Sequence, residues 1–73
     1  MEIRFCRHAR RQMKWRKITE EEVRTAITNP DKIADIKKGR RNAFKTIEGR
    51  LLKITYKAEG DDVIVITAMA KGE

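Results

Sequence analysis

The chain has 73 residues, with 18 basic residues against 11 acidic ones for a formal charge of +7, a single cysteine and a single histidine. A length of 73 allows one domain, here 1–73, around one small core; one cysteine excludes an internal disulfide, and one cysteine with one histidine excludes the usual four-ligand zinc site. No stretch approaches the ~20 apolar residues of a membrane span, and the first residues lack the apolar run of a signal peptide, so a soluble cytoplasmic protein with no metal, no cofactor and no membrane partner is expected.

The charge is not spread evenly. Residues 4–17 hold Arg4, Arg7, Arg10, Arg11, Lys14, Arg16 and Lys17 and no acid, while the remaining 11 basic residues are matched by the 11 acids. A field localised on so short a segment points to a polyanionic partner, and the rest of the chain reads as the platform that presents it.

In chain order, Ile3 and Phe5 alternate with polar neighbours and predict a short edge strand. Residues 6–16 predict a helix, having no glycine, proline or β-branched residue to oppose it. At about 100° per residue, Cys6, Ala9 and Met13 fall on one narrow stripe expected to face the core. Arg7, Arg10 and Lys14 share a second flank; His8, Arg11, Gln12 and Trp15 share a third.

A second helix is announced by Thr19 as N-cap with Glu22 three residues on, a capping box, and by Ile18 and Val23 at the positions of a hydrophobic staple. Its buried stripe is Val23, Ala26 and Ile27, and Pro30 ends it near Asn29. Residues 17–19 leave room only for a tight helical hairpin.

After Pro30 the period changes to that of strands. Residues 32–37, 42–48, 50–57 and 63–70 predict strands, with turns at Lys38-Gly39-Arg40, Glu48-Gly49 and around Gly60. In the third of these Leu52, Ile54 and Tyr56 share one face, and Leu51, Lys53, Thr55 and Lys57 the other. The last is apolar on both faces, as a central strand is. The expected fold class is α+β: two N-terminal helices packed on a mostly antiparallel sheet of about four strands. Met13, Val23, Ile27, Ile54, Val65 and Ile66 are the expected core.

Three groups have chemistry to offer. His8 exchanges protons near neutral pH, and Arg11 on the same helix face can hold a phosphate bidentately. Metal-free RNA cleavage needs such groups: a base for the 2′-hydroxyl, an acid for the leaving 5′-oxygen, and cations for the charge building on phosphorus. The plain alternative is a histidine that only bonds a backbone carbonyl. Lys37, Lys38, Arg40, Arg41 and Lys45 would make a phosphate-binding rim, or a solvated hairpin of charges. The third group is Tyr56 with Thr67 and Lys71 on the later strands, in which Tyr56 would serve as proton donor or stacking platform, or is simply packed. One histidine is not both acid and base without help, so catalysis would draw on His8, Arg11, Lys45 and Tyr56, with Arg7, Arg10, Lys14, Trp15, Arg40 and Arg41 holding the nucleic acid.

The run from Phe5 through His8-Ala9, Met13, Arg16, Ile18 and Val23 to Asn29-Pro30-Asp31 resembles the signature of the prokaryotic family known as domain of unknown function 4258. Arg40-Arg41, the Gly-Arg-Leu-Leu run at 49–52 and the Val-Ile-Val-Ile-Thr run at 63–67 extend the resemblance over nearly the whole chain. One position departs from it: Cys6 stands where Thr or Ser would be expected before the first helix. That family is thought to be related to toxins of the RelE and BrnT type, compact α+β proteins that cleave RNA without a metal and are neutralised by an antitoxin. The resemblance therefore implies a RelE/BrnT-like fold, a toxin-like metal-independent endoribonuclease acting on RNA, and an acidic antitoxin protein as partner. Beside this reading stand a non-catalytic RNA-binding or partner-binding module, and a domain whose basic helix docks an acidic protein.

Overall fold

The structure, a computed structural model, describes residues 1–71. The elements run β1 (Ile3–Phe5), α1 (Arg7–Arg16), α2 (Glu20–Thr28), β2 (Lys32–Asp35), β3 (Arg40–Ile47), β4 (Arg50–Glu59) and β5 (Asp62–Lys71). The strands form one five-stranded sheet in the order β1-β5-β4-β3-β2, antiparallel throughout except for β1, which pairs in parallel with β5. The α+β class is as expected. The sheet has five strands rather than about four, because the short edge strand expected at Ile3 and Phe5 joins the four later ones, and it does so in parallel with β5.

Both helices lie on one face of the sheet, α1 on β5 and α2 on β3 and β4. Cys6 is not the first helical residue but the N-cap of α1: its Sγ accepts from the Ala9 N–H at 3.4 Å, as a threonine hydroxyl would. Lys17 ends α1 in the left-handed region (φ 58°), and its N–H and that of Ile18 turn back to the last carbonyls. The capping box of α2 is formed in both directions, Glu22 N–H to Thr19 Oγ1 at 3.0 Å and Thr19 N–H to Glu22 Oε1 at 2.9 Å. Ile18 and Val23 are buried, so the staple holds too.

The strand ends are set by turn chemistry. Lys38-Gly39 and Glu48-Gly49 have positive φ at both positions, the condition for the two-residue turns that match strand twist. The first of these cuts β2 short at Asp35 rather than Lys37.

The core between sheet and helices contains Ile3, Ala9, Met13, Ile18, Val23, Ala26, Ile27, Ala43, Leu52, Ile54, Tyr56, Val63, Val65 and Ala68. Leu52, Ile54 and Tyr56 face it together, as expected. Ile66 does not. Thr55 pairs with Thr67 and Tyr56 with Val65, so Ile66 is the extra residue of a β-bulge and the inward positions shift from Val63 and Val65 to Ala68 and Ala70. A bulge reverses the alternation without altering composition, which is why an all-apolar run did not reveal it. β5 does lie inside the sheet, but its outer face is only half-buried, because the described residues place no layer over that side.

Candidate nucleic-acid interface

The outer face of α1 owes its position to two side chains that reach the sheet. β1 covers β5 only from Val63 to Val65. Beyond it, Cys6 Sγ–H donates to the Ile66 carbonyl at 3.4 Å, and Gln12 Oε1 accepts from the Ala68 N–H at 3.0 Å. Two helix side chains thus satisfy edge groups that a longer β1 would have paired. With Ala9 and Met13 buried beneath, the opposite side of the helix is turned outward.

That side carries a shallow groove lined by His8, Arg11, Gln12 and Trp15. The indole is 78% exposed, and the Arg16 guanidinium lies 5.1 Å from its ring centroid. His8, Arg11, Arg7 and Lys14 are exposed around it. Arg10 is already engaged: it stacks on Phe5 at 5.1 Å and bonds Glu20 Oε2 at 3.1 Å. Against a hydrated surface, a groove of one imidazole, one guanidinium and one largely exposed indole offers phosphate contact and base stacking together, the ring face away from Arg16 being the one open to a base.

The other expected site residues lie elsewhere. Lys45 on β3 is only 19% exposed and its ammonium bonds Asp31 Oδ1 at 3.2 Å. The same aspartate accepts the Thr46 N–H at 2.9 Å. That backbone bond chiefly, and the Lys45 ammonium with it, holds the Asp31 carboxyl below its ordinary 3.8. Tyr56 belongs to the core. Arg40 and Arg41, neighbours in sequence, point to opposite faces of the sheet, and Arg41 pairs with Asp35 at 3.0 Å. Only His8 and Arg11 of the four catalytic choices share one groove.

Two contributors were not foreseen as such. Gln12 anchors the groove through Ala68; no periodicity in the sequence signals a side chain bonded to a strand edge. Arg50 donates from Nη1 to the Arg16 carbonyl at 3.3 Å and from Nη2 to the Lys17 carbonyl at 3.5 Å, and lies 3.7 Å from Glu22. It neutralises the open carbonyl end of α1 and ties both helices to β4. Among the described residues no three His, Cys, Asp or Glu side chains gather as a metal site would require, and no helix is long and apolar enough to cross a membrane.

The fold and this surface define a small α+β protein whose basic helix is pinned to one edge of a mixed sheet. The chain belongs to the family described as domain of unknown function DUF4258, whose model matches residues 5–70. No curated protein and no solved structure matches it.

Proposed function

We propose that the protein binds RNA in the cytoplasm through the outer face of α1. The observation that carries this reading is the groove in which Trp15, 78% exposed, stands beside Arg11 and His8, on a helix whose Arg7 and Lys14 are exposed and have no ion-pair partner among the described residues. Phosphates would meet the guanidinium and ammonium groups, and a base would stack on the indole. The test is affinity for an RNA oligonucleotide as salt rises. Binding should weaken steeply, and Arg7→Glu with Lys14→Glu should reduce it at least tenfold with the fold intact. Affinity indifferent to salt and to both changes would remove RNA from consideration.

A second reading, a toxin-like metal-independent endoribonuclease with a RelE/BrnT-like fold and an acidic antitoxin, is favoured by the pairing of His8 and Arg11 in that groove. His8 would take the proton of a 2′-hydroxyl as its oxygen attacks the adjacent phosphorus. The bond to the 5′-oxygen would break, that oxygen taking a proton from solvent water, to leave a cyclic phosphate and a free 5′-hydroxyl. Arg11 would carry the charge on phosphorus. With Tyr56 in the core and Lys45 bound to Asp31, this scheme rests on His8 and Arg11 alone.

A further inference from the structure

The face of the sheet opposite the helices is a second basic surface, one that the sequence total conceals. Outside residues 4–17 the charges cancel, yet the fold sorts them. The strand pairings place Lys32, Phe44, Lys53 and Met69 side by side in one row across that face, with Thr46, Leu51 and Lys71 in the next. Arg40 and Lys57 stand opposite one another farther along. From β2 to β5 the outward positions hold no acid until Glu59 and Asp62 at the β4–β5 turn. Lys32, Arg40, Lys53 and Lys57 have no ion-pair partner among the described residues; the ion pairs fall at the helices and the margins instead.

Between these cations runs an apolar strip. Leu51 and Met69 are 37% and 36% exposed and Phe44 is half-buried. Two adjoining hollows share Phe44 and Leu51: one reaches Asp31, Lys32 and Thr46, the other Lys53, Met69 and Lys71; the Asp31 carboxylate at the rim of the first is already engaged by the Thr46 N–H and the Lys45 ammonium. Cations alternating with flat or flexible apolar groups match a strand of nucleic acid, in which anions alternate with bases. They match a duplex less well, because its bases are stacked inside the helix and offer no faces to an open apolar strip, whereas those of a single strand can be splayed onto it.

We infer that this open face is a platform for single-stranded RNA, with bases on Phe44, Leu51 and Met69 and phosphates on Lys32, Lys53, Lys57 and Lys71. The choice of RNA as the polyanion rests on the reading proposed above; the placement on the sheet does not. Nearby, Thr55 Oγ1 donates to Asn42 Oδ1 at 2.7 Å, which leaves the Asn42 amide donors free for a 2′-hydroxyl or a base edge.

The test is titration of the isotopically labelled full chain with a ten-nucleotide single-stranded RNA at low salt, followed by amide shifts. Amides around Phe44, Lys53 and Met69 should move. The variant with Lys53→Glu, Lys57→Glu and Lys71→Glu should bind at least tenfold more weakly with an unchanged melting temperature, and Phe44→Ala should weaken binding without changing the charge. Shifts confined to α1, with both variants binding like the parent, would overturn the inference and leave the α1 reading standing. Conversely, shifts confined to the sheet, with Arg7→Glu and Lys14→Glu harmless, would sustain it and overturn the α1 reading. Equal affinity for duplex RNA, or a poly-glutamate peptide that moves the same amides at lower concentration, would overturn the assignment to single-stranded RNA.

Discussion

Gln12 Oε1 accepts the Ala68 N–H at 3.0 Å, so a helix side chain completes the edge of a strand fifty-six residues away. Removing it with Gln12→Ala should leave that N–H without its partner, at a cost of about 1–2 kcal/mol. Hydrogen exchange at Ala68 should quicken more than at Val63, whose own N–H donates to the Glu2 carbonyl at 3.0 Å. Unchanged exchange at Ala68 would mean that water replaces the side chain at no cost.

Arg50 links helices and sheet from the other side, and it is mostly shielded from solvent. In Arg50→Met the Arg16 and Lys17 carbonyls lose a charged donor while the stem still packs. A loss of about 1–2 kcal/mol is expected by urea unfolding. Glu22→Gln should cost less, because an amide oxygen still accepts from Thr19 and the contact at 3.7 Å is long.

Acid should weaken the fold through Asp31 and Asp62. The Asp62 carboxyl is held below its ordinary 3.8 chiefly by the Glu2 N–H; burial opposes this, and the Arg4 guanidinium assists. Asp31 is lowered by Thr46 N–H and Lys45. Each carboxyl is lower in the folded chain than in the unfolded one. Its contribution is therefore complete above the ordinary value and is lost as pH falls through the lowered one. The urea midpoint should drop as pH falls below about 4, and Asp31→Asn with Asp62→Asn should flatten that drop. An equally steep fall in the double variant would assign it to other groups.

Core substitutions separate the two isoleucines that the sequence treats alike. Ile54 is fully buried, so Ile54→Ala should cost about 2–5 kcal/mol, and Met13→Ala similarly. Ile66, at the bulge on the half-open face, should cost well under half as much. Equal losses would contradict the bulge.

That pair also marks how far the sequence could be read. Local chemistry was legible: Thr19, Glu22, Pro30, Gly49 and the alternation of Leu52, Ile54 and Tyr56 each act within a few residues, and each element appears where they put it. Long-range placement was not. Ile66 departs from the pattern because of a register shift between strands, and Gln12 and Arg50 act through partners 56 and 34 residues away. The candidate site divides in the same way. His8 and Arg11 share a groove because helical spacing brings them together, whereas Lys45 and Tyr56 could join them only through tertiary packing, which directs them elsewhere. The open face was half visible, since Leu51, Lys53 and Lys57 alternate on one side of β4; that no described element covers it, and that Phe44 and Met69 flank Lys53, needed the sheet order.

His8 distinguishes a surface that binds RNA from one that also cuts it. The side chain is exposed and lies outside the Ala9–Met13 stripe, so His8→Gln opens no cavity and should leave the melting temperature unchanged. Glutamine keeps a polar group in the groove, and RNA affinity should change by less than about threefold, since binding rests mainly on the arginines and lysines. If the imidazole transfers a proton during cleavage, the same variant should cut RNA about 10²–10⁴-fold more slowly. Arg11→Lys, which keeps the charge but loses the bidentate fork, should also slow cleavage while binding persists. Measured on purified protein free of any bound partner, with chelator present, these rates decide between the readings. Cleavage that is lost with His8 and retained in chelator establishes the metal-independent ribonuclease; cleavage that is absent from the parent, or unchanged by His8→Gln, leaves α1 as a binding surface only.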